Sequence, residues 1–372
     1  MNKRKIWLIV LAIIIIAVIF IGIRFTQKPS QKEQVIKIGA ILPLTGDFAL
    51  FGGWLKEGID FAVEQEPNIK VIIEDNANQT LKAVSAYQKL INIDRVQAVI
   101  TARTPVANAL TPVANSSRVF TVFTFADLPK GDKTYILNYH FPVADEVNAL
   151  VEFAYKQLGQ KGAILVVSDD FGRLGADLFK QAFEKLGGNI VYNEQFSATE
   201  KDFRSLLLKL RNAKPDFIFV IAWEQNFVAL TKDMTELGLS LPIIGPNVLT
   251  IYLNLVGPYL QRGYFTMSLY DAGKSTGAHY EEFLTRFKLE KGKEPNMVIA
   301  EAYEATKLLI TALKQQPNDL PGFFDKLHEN IGIFGKIVID SERQAHFPLA
   351  VVEIEKGQKK NIVWEFTPEI RR

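Results

Sequence analysis

From residue 35 onward, short apolar runs alternate with longer stretches in which apolar residues recur every three or four positions. Val35–Leu42 is nearly continuous in its apolar content, as strands covered on both faces are. Phe51–Gln65 follows with Leu55, Ile59, Phe61 and Ala62 on one helical face. The same alternation predicts strands at 69–74, 96–101 and 119–123, with helices at 81–93 and from Val106. It then restarts. Helices are expected at 146–158, 175–186, 202–212 and 226–237, and strands at 162–167, 190–196, 216–222 and 242–245. A third section predicts a strand at 263–268, helices at 279–291, 297–315 and 323–329, and closing strands at 335–340, 350–356 and 358–364. Strands alternating with helices of 10–15 residues mean βαβ units and parallel sheets.

The N-terminal pattern differs. Ile6–Ile23 is a run of eighteen apolar residues behind Lys3, Arg4 and Lys5. Such a run is long enough to span hydrocarbon, and the basic residues set its orientation. The expectation is a single-pass anchor with the large domain on the extracytoplasmic side of the cell membrane. A cleaved signal peptide is the alternative reading of the same residues. Residues 24–35 form a polar tether.

Composition narrows the chemistry. The chain has 372 residues, 48% hydrophobic against 23% charged, which suits two globular domains of ordinary size. The 43 basic and 41 acidic residues nearly balance, and six of the basic ones precede the first acid, Glu33. The body is therefore mildly acidic, with no reason to bind nucleic acid. The absence of cysteine excludes disulfides and thiolate chemistry. Four separated histidines form no metal-ligand spacing, and the phosphate-cradle, nucleophile-elbow and metalloprotease motifs are absent. No metal or cofactor and no enzyme activity is expected; a monomer is favoured.

Two βα runs of similar size predict two Rossmann-like domains with a ligand crevice outside the carboxyl ends of their strands. Phe51, Phe123, Phe125, Phe171 and Trp223 fall at or just beyond those ends. Together they describe an apolar-walled site for a small molecule; ordinary core packing is the competing reading. Arg103, beside Thr104, offers a planar fork for a carboxylate, and a solvated or salt-bridged Arg103 is the alternative. Asp169-Asp170 reads as a turn and helix start more than as a cation site. His140 is the one histidine placed near the crevice.

The segment Ile36-Lys-Ile-Gly-Ala-Ile-Leu-Pro-Leu-Thr-Gly46 resembles the first strand and binding loop of the leucine/isoleucine/valine-type periplasmic solute-binding proteins of ABC transporters. Phe51-Gly52, Gly58-Ile-Asp-Phe-Ala62, Phe171-Gly172, Leu186-Gly-Gly188, Pro215-Asp-Phe-Ile218, Ala302-Tyr-Glu-Ala305 and Phe334-Gly-Lys-Ile-Val-Ile-Asp340 continue the resemblance in order. It implies a type I periplasmic binding fold: behind the transmembrane helix, two lobes joined by three crossovers, near 141–145, 266–269 and 334–337. The expected organisation is 1–35 as basic end, anchor and tether, 36–143 and 268–334 as N-lobe, and 144–267 and 335–372 as C-lobe.

The resemblance further implies an extracytoplasmic solute-binding component of an ABC uptake system, with a permease as partner. A membrane-tethered receptor-like sensor or interaction module is the alternative. Its implied ligand contacts are Phe51, Arg103, Thr104, Phe123, Thr124, Asp145, Phe171, Trp223 and Asn247. The pocket departs from the amino-acid pattern. Pro105 stands where a hydroxyl would hold an α-carboxylate, and Asp127 stands where a second one would, with Thr124 close by. Neutral Asn247 stands where an acid would hold the ammonium, while the crossover aspartate is kept as Asp145. A small amino-acid-like, amide or aromatic or other organic-acid solute, an acid being gripped by Arg103, is expected over a standard branched-chain amino acid.

Overall fold

The computed structural model describes Trp7 and residues 35–127, 131–275 and 277–368. The chain divides into the units Met1–Ile36 and Lys37–Arg372. From Ile36 onward the apolar rhythm becomes β1 (Ile36–Leu42), α1 (Ala49–Val63), β2 (Ile69–Asp75), α2 (Thr80–Lys89), β3 (Ala98–Ala102), α3 (Thr104–Ser117), β4 (Phe120–Thr124) and β5 (Ile136–Asn138). Among the described residues these strands form a five-stranded sheet in the order β2-β1-β3-β4-β5. The pairs β1–β3, β3–β4 and β4–β5 are parallel, with Ile38 opposite Ala98 and Ile100 opposite Val122. All five residues of β3 and of β4 are buried, as in strands covered on both faces.

The second run gives α4 (Val143–Gln157), β6 (Lys161–Val167), α5 (Asp170–Lys185), β7 (Asn189–Phe196), α6 (Arg204–Ala213), β8 (Phe217–Ile221), α7 (Glu224–Glu236), β9 (Ile243–Gly245), α8 (Leu253–Val256) and β10 (Arg262–Ser268). The chain then forms α9 (Ala278–Lys291), α10 (Met297–Gln315) and α11 (Leu320–Asp325), followed by β11 (Glu329–Gly332), β12 (Gly335–Ile339), β13 (Ala345–His346), β14 (Leu349–Glu355) and β15 (Gln358–Phe366). Among the described residues a seven-stranded sheet runs β15-β14-β10-β9-β8-β6-β7. It is parallel from β7 to β10, and β14 and β15 add an antiparallel edge. Strands β11, β12 and β13 make a separate small sheet.

The chain crosses between the sheets more than once. It leaves the first after β5 and builds the second as far as β10. It then returns with α10, which packs on α1 and β4, and re-enters the second sheet at β14. The contact of α10 with α1 is close because Gly58 carries no side chain: a Cβ there would lie 2.3 Å from the carbonyl oxygen of Ile299. In the second lobe, stacked and edge-on Phe179, Phe183, Phe217 and Phe219 fill the space between α5 and the sheet. Two α/β lobes built on parallel sheets and joined by crossovers are thus present.

The membrane-spanning part of the expected architecture is corrected. Among the described residues no helix is long and apolar enough to cross a membrane. The run 6–23, Trp7 apart, lies outside the described residues, as does nearly all of the tether. The transmembrane helix, the signal-anchor, the single-pass location and the membrane as partner are therefore not retained. A second difference lies at 323–329. The helix there is α11, which starts earlier and stops at Asp325, and Glu329 already belongs to a strand, opposite Val338. Asp319 caps α11 by accepting from the Gly322 N–H, and Pro321 sits in its first turn.

Candidate functional site

Parallel strands end on the same edge of their sheet, so the loops after β1, β3 and β4 in one lobe approach those after β6, β8 and β9 in the other. A cleft of about 570 Å³, its open mouth included, lies between them. The first lobe contributes Phe48 and Phe51 around the start of α1, Arg103, Thr104 and Pro105 at the start of α3, and Phe125, Ala126, Asp127 and His140. The second contributes Phe171, Trp223, Asn247, Val248, Ile251 and Tyr252. Aromatic walls with a few convergent polar groups are the usual make-up of a small-molecule site.

Arg103 stands out electrostatically. Its guanidinium carbon lies 3.5 Å from the centre of the Phe48 ring and 4.7 Å from that of Trp223. The residue is buried, and its Nη1 has no hydrogen-bond partner among the described residues. Burial pushes its pKa down to about 10, against the opposing influence of Asp169 and Tyr252. It therefore carries its charge near neutral pH, in a place where an unpaired charge is costly. The backbone is strained at the same spot: Arg103 has φ 82° and Phe125, just beyond β4, has φ 47°. Such strain persists only where the surroundings impose it, and it gathers at ligand sites.

The aromatic wall is held by its own hydrogen bonds. Trp223 Nε1 donates to Asp169 Oδ2 at 2.9 Å, while Asp169 Oδ1 accepts the Gly172 N–H at the start of α5. Trp223 stacks on Phe171, with ring centres 5.9 Å apart, and meets Phe48 edge-on. Phe51 meets Phe125 edge-on, and Phe125 leans on His140. His140 Nδ1 contacts both oxygens of fully buried Glu301, at 2.9 and 3.0 Å. Burial disfavours the charged imidazole, but the Glu301 charge overrides it and raises the His140 pKa. Glu301 Oε1 also accepts from the Phe125 N–H, which fixes the strained loop.

Six of the nine residues expected at the site, Phe51, Arg103, Thr104, Phe171, Trp223 and Asn247, come together on this lining. Three do not. Phe123 is wholly buried in the core of the first lobe. Thr124 is buried in β4, its hydroxyl donating to the Thr101 carbonyl at 3.4 Å. Asp145 sits at the start of α4, where its Oδ2 is 2.7 Å from His346 Nδ1. Asn247 donates its backbone N–H to Glu146 Oε1 at 2.6 Å and its amide to Met297 Sδ at 3.2 Å. Glu146 also accepts from the Thr266 hydroxyl, and burial raises its pKa to about 7. Phe48, Val248, Ile251 and Tyr252 line the cleft without having been singled out, since nothing in their local pattern marks them. Glu301 lies 161 residues from His140 and has no local signal either. Asp169 and Asp170 serve as helix start and surface pair, with Asp170 bound to Arg173 at 2.6 Å. Among the described residues no group of three or more histidine or acidic side chains is placed to hold a metal.

The family described as Periplasmic binding protein matches residues 35–359 of the chain. The chain belongs to that family. This periplasmic binding protein is 26% identical over 259 residues to Leu/Ile/Val-binding protein homolog 3 of Brucella melitensis biotype 1, covering 65% of this chain and 70% of that one. It is 27% identical over 229 residues to the Leu/Ile/Val-binding protein BraC3 of Rhizobium johnstonii, covering 58% of this chain and 62% of the relative's length. The leucine binding protein LivK of Thermotoga maritima MSB8 superposes with a TM-score of 0.83 at 22% identity, over 90% of this chain and 99% of that one. A solute binding protein of an ABC transporter from Rhodopseudomonas palustris BisB5, in complex with 3,4-dihydroxy benzoic acid, superposes with a TM-score of 0.76 at 25% identity, over 90% and 97%. Membership places the chain among binding proteins, not enzymes.

Proposed function

We propose that this periplasmic binding protein is the extracytoplasmic solute-binding component of an ABC uptake system, handing its solute to a permease. The solute is a small organic acid with an aromatic or other flat apolar body, bound between the lobes 36–143 with 268–334 and 144–267 with 335–372. One observation carries the choice of solute. Arg103 is a buried cation set in the corner between the edge-on rings of Phe48 and Trp223, and its Nη1 has no acceptor among the described residues. A carboxylate supplies the missing acceptor and adds to the partial compensation by Asp169, and the planar fork of arginine matches it in two parallel hydrogen bonds. The six aromatic rings along the lining suit a flat apolar body. An α-amino acid is less well served, since Asn247 is neutral and Asp145 is engaged by His346.

Thermal unfolding of the full chain against aromatic acids, aliphatic acids, amides and amino acids tests this. A solute that binds only the folded state stabilises it by about 2.7 kcal/mol at a hundredfold excess over Kd. Aromatic acids should raise the midpoint, and Arg103→Gln should abolish the effect. Stabilisation by leucine, isoleucine or valine alone would overturn the acid assignment. Tight binding of another protein, with no small molecule stabilising the chain, would turn the reading to an interaction module.

A further inference from the structure

His140 brings one edge of its ring to the cleft. The residue is only 7% exposed and lies on the cleft lining. Two phenyl rings flank the imidazole: Phe125, with centres 4.6 Å apart and planes 34° apart, and Phe141, at 4.3 Å and 28°. Glu301 meets Nδ1 with both of its oxygens, at 2.9 and 3.0 Å. With the faces and the Nδ1 edge taken, the edge that carries Nε2 is what remains for the lining. Nε2 makes no hydrogen bond among the described residues; the ring's partner at Nδ1 is Glu301. The number of protons held by the pair decides what Nε2 offers. An imidazolium against a carboxylate carries a proton on Nε2. A neutral imidazole that accepts at Nδ1 from a carboxylic acid carries one there too. Nε2 becomes an acceptor only when the pair as a whole gives up a proton.

Resting on the acid reading above, we propose that His140 is a specificity-determining residue: its Nε2–H donates to a neutral carbonyl oxygen on the acid that Arg103 holds. Two electrostatic facts support a donor at this place. Burial raises the Glu301 pKa, and for His140 the Glu301 charge outweighs burial and raises the histidine's as well, so both shifts keep the shared proton in the pair at neutral pH. The largest charges acting on the ring are those of Glu301 on α10, Glu146 on α4 and Asp127 after β4, all acids. A second carboxylate would be repelled by them, whereas a neutral acceptor is not. A buried donor left without its acceptor rejects an analogue more strongly than an apolar wall rejects a size mismatch.

Calorimetric titration of the full chain with 2-, 3- and 4-acetylbenzoate, each against the isopropenylbenzoate of the same substitution, tests the assignment. Each pair has nearly the same shape, and only the acetyl member offers an oxygen. At neutral pH at least one acetyl acid should bind about tenfold or more tighter than its isopropenyl counterpart. That advantage should shrink as the pH is raised and the pair gives up its proton, and His140→Phe, which keeps a ring but no donor, should abolish it. If the wild-type protein binds both members of every pair equally, His140 does not read an acceptor, whether or not the variant folds. An advantage that persists unchanged at alkaline pH or in folded His140→Phe overturns the proposal as well. These outcomes leave the acid reading standing. Failure of all six acids and of the wider acid panel to bind removes that reading and this one with it.

Discussion

Asn108 Nδ2 donates to Asp170 Oδ2 at 2.9 Å, tying α3, which begins just past Arg103 at the end of β3, to the first residue of α5 in the other lobe. Asn108 lies one helical turn beyond Thr104, and Asp170 precedes Phe171; both of those neighbours line the cleft, so the bond joins the two lobes beside it. Solute exchange requires the lobes to part, so a bond between them stabilises the closed arrangement alone. Both side chains are partly buried, and a single neutral-to-charged hydrogen bond contributes about 0.5–1.5 kcal/mol or somewhat more. Asn108→Ala should therefore speed solute release by about three- to tenfold while leaving the association rate nearly unchanged. Stopped-flow displacement measures both; an unaltered release rate would show that the bond does not report closure.

Trp223 governs Arg103 through Asp169. The indole N–H occupies Oδ2 of Asp169, the carboxylate whose charge acts on the guanidinium. Trp223→Phe keeps a ring against Phe171 but releases that oxygen, which can then compete with the solute for Arg103. Affinity for an acid should fall by about tenfold in Trp223→Phe, and Trp223→Ala should cost about 2 kcal/mol or more if the ring is a binding hot spot. Titration with the same acid compares the two. Full affinity in folded Trp223→Ala would remove this ring from the site.

His346 makes the fold sensitive to alkali. Burial disfavours its charged form, but hydrogen bonds to Asp145 at 2.7 Å and Asp340 at 3.2 Å outweigh that and push its pKa up to about 9. A histidine whose pKa is raised by folding stabilises the native state fully below its unfolded value of 6.5, and that contribution fades as pH climbs through about 9. Denaturant unfolding should give a free energy that declines across this window, and His346→Gln should flatten the decline. Equal slopes in the two proteins would assign the alkaline loss to other groups.

Much of the lobe architecture is legible in the pattern because it rests on local periodicity. Residues 297–315 form a helix over the expected span, begun by Asn296, whose side chain accepts from the Ile299 N–H. What escapes the pattern depends on distant partners. β5 is three residues long and exists because it pairs with β4. Glu329 reads as the end of a helix until β12 is there to pair with the strand it begins. At the site, the crevice edge is legible because parallel strands share their ends. The identity of a wall residue is harder. Phe123 and Phe125 look equivalent in sequence, but β4 ends at Thr124: Phe123 packs into the core, and Phe125, in a left-handed backbone, lines the cleft. The Glu301 contact with His140 depends on the return of the chain through α10, which no local window reveals.

Arg103 combines two destabilising features that a binding site has reason to keep. Its charge is buried with Nη1 lacking an acceptor, and its backbone has φ 82° and ψ 137°. A non-glycine residue held in such a region costs about 1–3 kcal/mol, and a buried charge only partly compensated by Asp169 adds to that. Against these stand the contacts with Phe48 and Trp223, together about 0.5–2 kcal/mol. Glycine adopts this backbone freely, though it is the costliest residue to order, by about 0.5–1 kcal/mol. Alanine removes the charge but keeps the strain. The solute-free protein should therefore gain stability in the order Arg103→Gly above Arg103→Ala above wild type, while both variants lose acid binding. Adding a tightly bound acid should reverse the ranking, because only the wild-type protein is stabilised by mass action. Thermal unfolding with and without solute tests both halves. If both variants unfold below the wild-type midpoint without solute, Arg103 is a structural residue supported by its aromatic neighbours, and its unpaired Nη1 carries no functional meaning.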